Sequence, residues 1–312
     1  MILSTCLDVA ADVAGPELMA RLHADLSAYK AAGADLLLLG TQSDGGVVPG
    51  RLDALIGAPA LASAAGGTPL VAVLPALFSL PFHVARALSA ADFLSGGTMG
   101  WMPTVATRQD RAPGYGAAYA VSADEAPAKA LDMIRATQAL WDSWDEDALV
   151  LDKAAGRYLD TARVRRVDYR GTHFDVMGPL NAARPPQGYP VLIADEADPL
   201  FTAEGFAPEL LLIGRDDAAT LAQAVADLRA KGFTGRILAK LSPDGAPGCC
   251  PVADAAAITD VDGFHIVAAD AAQALATLRA HYPADEQDGP LRARLSLPTP
   301  TNPFSASRSV AA

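Results

Sequence analysis

The chain has 312 residues, 51% of them hydrophobic and 6% aromatic, which is enough to bury one large α/β barrel or two ordinary domains. A formal net charge of −12 without any basic run argues against nucleic acid as a partner. No apolar run is long enough to span a membrane and no signal peptide is evident, and Cys6, Cys249 and Cys250 form neither a disulfide framework nor a metal-binding CxxC pair; a reducing cytoplasm is expected.

Met1 to Leu7 reads as a short buried strand. Leu18, Met19, Leu22, Leu26 and Tyr29 recur near helical spacing, so a helix is predicted over Pro16–Ala32, with Gly33 as its stop. Four leucines between Asp35 and Gly40 suit a parallel strand buried on both faces. Arg51–Ala65 is helical, weakened by Gly57 and Pro59; Pro69–Pro75 is the next strand and Pro81–Ala91 the next helix. A Ser-Gly-Gly turn then leads into a strand that opens with Gly100-Trp101. Gln109–Val121 is a loop, and Ser122 with Glu125 forms a capping box for a long helix to Ser143. Arg157–Val176 alternates around a Tyr169-Arg170-Gly171-Thr172 turn and predicts a hairpin outside the main sheet.

Pro190–Asp195, Glu209–Ile213, Arg236–Leu241 and Gly263–Val267 complete eight strand signals, with helices at Ala218–Lys231 and Ala271–His281. Strand–helix alternation on this scale predicts an α/β protein, a (β/α)8 TIM barrel over residues 1–290. Residues 291–312, rich in Pro, Ser and Thr, are expected to form an extended or disordered tail.

In such a barrel the chemistry sits where the strands end. Cys6 and Asp8 end the first strand; Cys6 is a nucleophile candidate or a packed thiol. Thr41, Gln42, Ser43 and Asp44 end the second and are candidate ligand contacts. Lys240 lies in an otherwise apolar seventh strand and needs a partner, for which Asp195 or Glu196 is placed. That pair is either structural or the lining of a mouth that takes a polar ligand. His265 on the eighth strand either faces the mouth or packs under a helix. Trp101 is an aromatic wall for a planar ligand or a packing residue, and Trp141 and Trp144 read as helix-to-hairpin packing. His83 is structural or interfacial, and no metal-ligand spacing, GxGxxG or P-loop is present in the sequence.

A set of longer motifs runs through the chain. His83-Val84-Ala85-Arg86 leads into Leu94-Ser95-Gly96-Gly97 and Gly100-Trp101; Leu140-Trp141-Asp142-Ser143-Trp144 is followed by Asp152-Lys153, Gly156-Arg157-Tyr158, Gly171-Thr172-His173-Phe174 and Gly178-Pro179-Leu180-Asn181. Arg184-Pro185-Pro186-Gln187-Gly188, Asp262-Gly263-Phe264 and Leu291-Arg292-Ala293-Arg294-Leu295 complete the set. With these the chain resembles the bacterial luciferase-like flavin-dependent monooxygenases, in the branch of nitrilotriacetate monooxygenase component A and its desulfurising relatives. The resemblance implies a cytoplasmic (β/α)8 barrel, often dimeric, that takes reduced FMN from a separate flavin reductase. It implies oxygenation of a small organic substrate by way of a flavin peroxide.

Several positions depart from the pattern the resemblance implies. Pro75-Ala76-Leu77 stands where hydroxyl residues contact flavin, and Met102 stands where an Asn does. Ala123 and Pro127 fall at a His and a Tyr position. Asp195-Glu196-Ala197-Asp198-Pro199 replaces a small loop that cradles the FMN phosphate, so its carboxylates are expected to repel that anion. Replacing Asp195 and Asp198 by Ser is then expected to raise affinity for a phosphate. The insertion between strands seven and eight is shortened to a Pro-Gly-Cys-Cys-Pro loop. By position, Trp101, Met102, Thr41, Asp195 and Glu196 are the cofactor-binding candidates, with Cys6, Lys240 and His265 as further mouth residues. Two functions stand: a divergent FMN-dependent monooxygenase, or a non-catalytic barrel acting as a binding module or as the partner of a paralogous subunit.

Overall fold

The computed structural model describes residues 1–9, 15–43, 46–50, 52–105, 121–284 and 288–306. Eight parallel strands close into a barrel: β1 (Ile2–Asp8), β2 (Leu36–Ser43), β3 (Leu70–Pro75), β4 (Met99–Thr104), β5 (Val191–Asp195), β6 (Leu210–Ile213), β7 (Arg236–Ser242) and β8 (Gly263–Ile266). Each pairs with its neighbours in sequence, and β8 returns to β1 with Ser4 opposite His265. This is the predicted (β/α)8 architecture.

The leucine run of β2 shows why these stretches become strands. Leu36 and Leu38 join Val71, Val73, Ile193, Leu210, Leu212 and Leu238 in the barrel interior. Leu37 and Leu39 pack outward in the helix layer with Leu3, Leu7, Leu70 and Leu74. A helix with that composition would put part of the run in water, whereas a strand between two apolar layers buries all four. Gly100 sits on the inward face of β4, where a Cβ would meet Ile193 and Val71 at 3.2 Å.

Around the barrel lie α1 (Gly15–Ala31), α2 (Ala54–Ala65), α3 (Pro81–Leu94), α4 (Ala126–Asp142), α5 (Ala218–Ala230) and α6 (Ala272–His281). Helix α2 runs through Pro59; Asp53 caps it by accepting the Leu55 N–H, and Gly66 ends it with φ 53°. The hydroxyl of Ser122 accepts the Glu125 N–H at 3.2 Å, but this caps a turn ahead of α4 rather than the helix itself. No helix follows β5, which turns instead through a 3-10 segment, Pro199–Thr202. After β7, Cys250–Pro251 pairs with Leu241 and Ser242, and a second 3-10 segment, Val252–Ala257, leads to β8.

Two expectations change. The single hairpin over 157–176 is two small ones: Leu149–Asp152 with Arg157–Leu159, and Tyr169–Arg170 with Asp175–Val176. Asp160 caps a 3-10 turn between them and Val164 bridges to Trp144, which divides the segment. The tail, for its part, is docked through residue 306. Helix α7 (Leu291–Arg294) buries Leu291 and Leu295 at one end of the barrel interior, and α8 (Pro303–Ala306) follows a buried Asn302. The Arg292 guanidinium grips both oxygens of Glu209 and the carbonyls of Tyr189 and Pro298, so a polar tail is tied down by its arginine. The Gln109–Val121 loop lies largely outside the described residues. Among the described residues no helix is long and apolar enough to cross a membrane.

Candidate functional site

The inward residues near the strand ends form a polar layer on top of the aliphatic core. Lys240 points in from β7, and its Nζ donates to Asp195 Oδ1 at 2.6 Å, with both side chains 2% exposed. To reach Asp195 its stem crosses β6 at Gly214, where a Cβ would meet Lys240 Cδ at 3.1 Å and the Gly248 carbonyl at 2.0 Å. Burial pushes the Asp195 carboxyl up, against the pull of the Lys240 ammonium. On the next strand His265 is fully buried, its Nδ1 2.9 Å from the Ser4 hydroxyl. Burial, then the Lys240 charge, lowers its pKa to about 3, so the ring is neutral. Asp195 Oδ2 and His265 Nε2 are buried without a hydrogen-bond partner among the described residues.

The turn after β5 is the position the family resemblance assigns to a flavin phosphate, and its chemistry is self-contained. The Glu196 N–H donates to the Leu212 carbonyl, Ala197 to Asp195 Oδ1, and Asp198 to the Asp195 carbonyl, at 2.9–3.0 Å. The Leu200 and Phe201 N–H groups both turn back onto Asp198, and Pro199 has none. Asp198 also accepts the Thr104 hydroxyl and the Val105 N–H, stitching β4 to this turn. Glu196 closes the circuit with Arg215, a two-pronged pair at 2.7 and 3.0 Å. An anion here would have to take N–H groups from bonds each worth about 1 kcal/mol net, beside three carboxylates. This turn does not fit a flavin phosphate.

The other departures point the same way. Met102 faces inward but is completely buried in the aliphatic core, and Ala76 and Leu77 are buried after β3. Trp101 does not reach the mouth. Strand alternation turns it outward, where it meets Trp141 edge-on at 5.5 Å, and Trp141 in turn packs on Tyr189. Its place as a cofactor contact is therefore corrected to a packing residue.

The open part of the mouth lies on the other side. A cleft of 570 Å³ is lined by Cys6, Asp8, Tyr29, Thr41, Gln42 and Ser242, among others, at the ends of β1, β2 and β7. Thr41 donates to Asp8 at 3.1 Å, and Gln42 donates to the Ile266 carbonyl at 2.8 Å. Burial, with Asp8 alongside, pushes the Cys6 thiol far above its ordinary range, so it is a packed thiol and not a thiolate nucleophile. His83 is exposed and lines a separate 400 Å³ hollow with Phe78, Leu80 and Leu55. Asp44 lies outside the described residues.

The structure thus brings together Lys240, Asp195 and His265, and places Cys6 and Thr41 at the cleft. Arg215, Thr104 and Gly214 were not singled out in the sequence. A signal existed for Arg215: it is the first charge after a fully apolar β6, two residues beyond the position level with Glu196 after β5. Among the described residues no group of three His, Cys, Asp or Glu side chains is placed to hold a metal.

No family model matches the chain. Among curated proteins, a subunit of the pristinamycin IIA synthase of Streptomyces pristinaespiralis is 32% identical over 277 residues, 88% of this chain and 87% of that protein. Dibenzothiophene-sulfone monooxygenase of Rhodococcus erythropolis is 41% identical over 124 residues, 40% of this chain, and the match spans 27% of that longer protein. Among solved structures, DmoA from Hyphomicrobium sulfonivorans superposes with a TM-score of 0.78 at 15% identity, covering 99% of this chain and 95% of that one.

Proposed function

We propose that this chain, which belongs to the luciferase-like flavin-dependent monooxygenase family, is the companion barrel of a two-chain monooxygenase whose flavin is held by the other chain. The single observation that carries this reading is the turn after β5. Every backbone N–H in Glu196–Asp198, and those of Leu200 and Phe201, is already engaged within the protein or with the neighbouring strand. A nearby guanidinium, Arg215, is held by Glu196.

Two further features support it. The relative matched along most of both chains is itself one subunit of a synthase. Helices α2 and α3 also pack side by side and turn outward a surface suited to another helix pair. The twelve residues of α2 include no charged side chain, and Ile56, Ala60, Ser63 and Ala64 are exposed along it. On α3, Ala90, Phe93 and Leu94 are exposed, with Phe93 at 47% and Leu94 at 68%. Small residues flanked by large apolar ones allow close helix approach and bury area at the contact.

The test is reconstitution with a full-length luciferase-like chain of the same organism. The reading expects a stable mixed complex, flavin-dependent oxygenation only in the mixture, and loss of the complex in Ala60→Glu with Ala90→Glu. Oxygenation by this chain alone would overturn it. A second reading keeps flavin in this chain in an altered pose over the 570 Å³ cleft, and the cleft's Thr41, Gln42 and Ser242 favour it. The same experiment separates the two.

A further inference from the structure

The first of the two small hairpins carries a feature that packing does not explain. Every residue from Leu151 to Tyr158 is exposed, and two are large and apolar: Leu151 at 60% and Tyr158 at 64%. Leu151 is held at φ 53°, the left-handed region that leucine avoids, where the pairing slips between Leu149 and Asp152. A bulge of this kind re-aims a side chain. Here it turns a leucine to solvent beside a tyrosine rather than into the lobe's own packing.

The tip beyond it is fixed, not slack. Asp152 Oδ1 accepts the N–H groups of Ala154 and Ala155 at 2.9 and 3.0 Å, and Gly156 turns the chain with φ 64°.

Charge adds a second observation. Residues 145–177 hold six basic residues against seven acidic ones, but the tip itself carries Lys153 and Arg157 against Asp152 alone, in a chain whose net charge is −12. Arg163, Arg165, Arg166 and Arg170 each pair with an aspartate. Lys153 and Arg157, on the exposed tip, have no ion pair among the described residues. The finger is therefore a rigid apolar knob that carries two cations, Lys153 and Arg157, against one carboxylate, Asp152, set opposite Arg157.

We propose that the 151–158 finger is a docking knob for a different protein that presents an apolar notch rimmed by carboxylates. A symmetric contact between two copies of this chain is disfavoured, because it would set Lys153 and Arg157 against themselves. Tyrosine and arginine at the centre of a small convex site are the residue types that anchor such contacts. The proposal does not depend on the α2–α3 surface.

The experiment is photocrosslinking in the source organism, with a benzophenone amino acid replacing Tyr158 in the full chain and one replacing Ala226, exposed on α5, as the control position. The expected result is an adduct with another protein, mapped by mass spectrometry to an acidic segment and absent in Lys153→Glu with Arg157→Glu. The charge-reversed variant should keep its melting temperature, since neither side chain is packed. No adduct above the control, an adduct with this chain's own copy, or an adduct indifferent to charge reversal would each overturn the proposal.

Discussion

Lys240 and Asp195 lie inside the barrel with almost no access to water, and each is the other's compensation. Lys240→Met leaves a buried carboxylate unpaired and should cost about 3–5 kcal/mol in a urea melt, while adding Asp195→Leu should restore much of that loss. Glu196→Gln, in a partly exposed pair with Arg215, should cost no more than about 1 kcal/mol by the same measurement. The expected gain in phosphate affinity from Asp195→Ser with Asp198→Ser is replaced by a loss of stability, because both carboxylates are structural. Sequence alone could place a lysine and two acids at strand ends. It could not tell that Gly214 opens the path by which the lysine reaches Asp195 and not Glu196.

Two buried titrating groups give the protein opposed pH slopes. Burial raises Asp92 to about 6 from an ordinary 3.8, despite N–H bonds from Gln187 and Met99. Its folded pKa lies above the unfolded one, so its stabilisation is full below 3.8 and is lost as pH rises through about 6. The span is on the order of 3 kcal/mol. His265 is lowered from 6.5 to about 3, so its contribution is present above 6.5 and lost as pH falls towards 3. Both act over the same window, from about 4 to 6, and offset each other there: Asp92→Asn should leave the melting temperature rising with pH across it, and His265→Gln should leave it falling. A profile unchanged in both variants would show that other groups set it.

At the scale of elements, the barrel strands were legible because a run buried on both faces, such as Leu36–Leu39, has nowhere else to hide all its side chains from water. The tail was not. Its proline and serine content hides Leu291 and Leu295, which enter the core, and Arg292, whose partner Glu209 is far away in sequence. Arg292→Ala should therefore destabilise the whole fold by about 3–5 kcal/mol, measured by chemical denaturation, and not merely loosen a terminus. The bulge at Leu151 was equally hidden, since nothing in Leu149–Asp152 marks a left-handed leucine. At the end of β6, Gly214→Ala would press on the Gly248 carbonyl and on the Lys240 stem. It should lower the melting temperature, and the loss should shrink in a Lys240→Met background because the two share one contact.

Across the whole molecule, the same motifs that identify the family frame a mouth whose backbone donors after β5 are already engaged internally. The family was legible in the sequence through Leu140–Trp144 and the blocks that follow it. The substitutions at Met102 and Asp195–Pro199 were legible too, but their meaning was not, because repulsion and self-satisfaction look alike in a string of acidic residues. Whether this barrel holds flavin by itself is decided by titrating the purified chain, alone, with oxidised and then anaerobically reduced FMN, followed by visible absorbance. No saturable perturbation of the flavin spectrum is expected in either redox state, because the turn after β5 has no donors to offer a phosphate. A stoichiometric bound-flavin spectrum would contradict the companion-barrel reading.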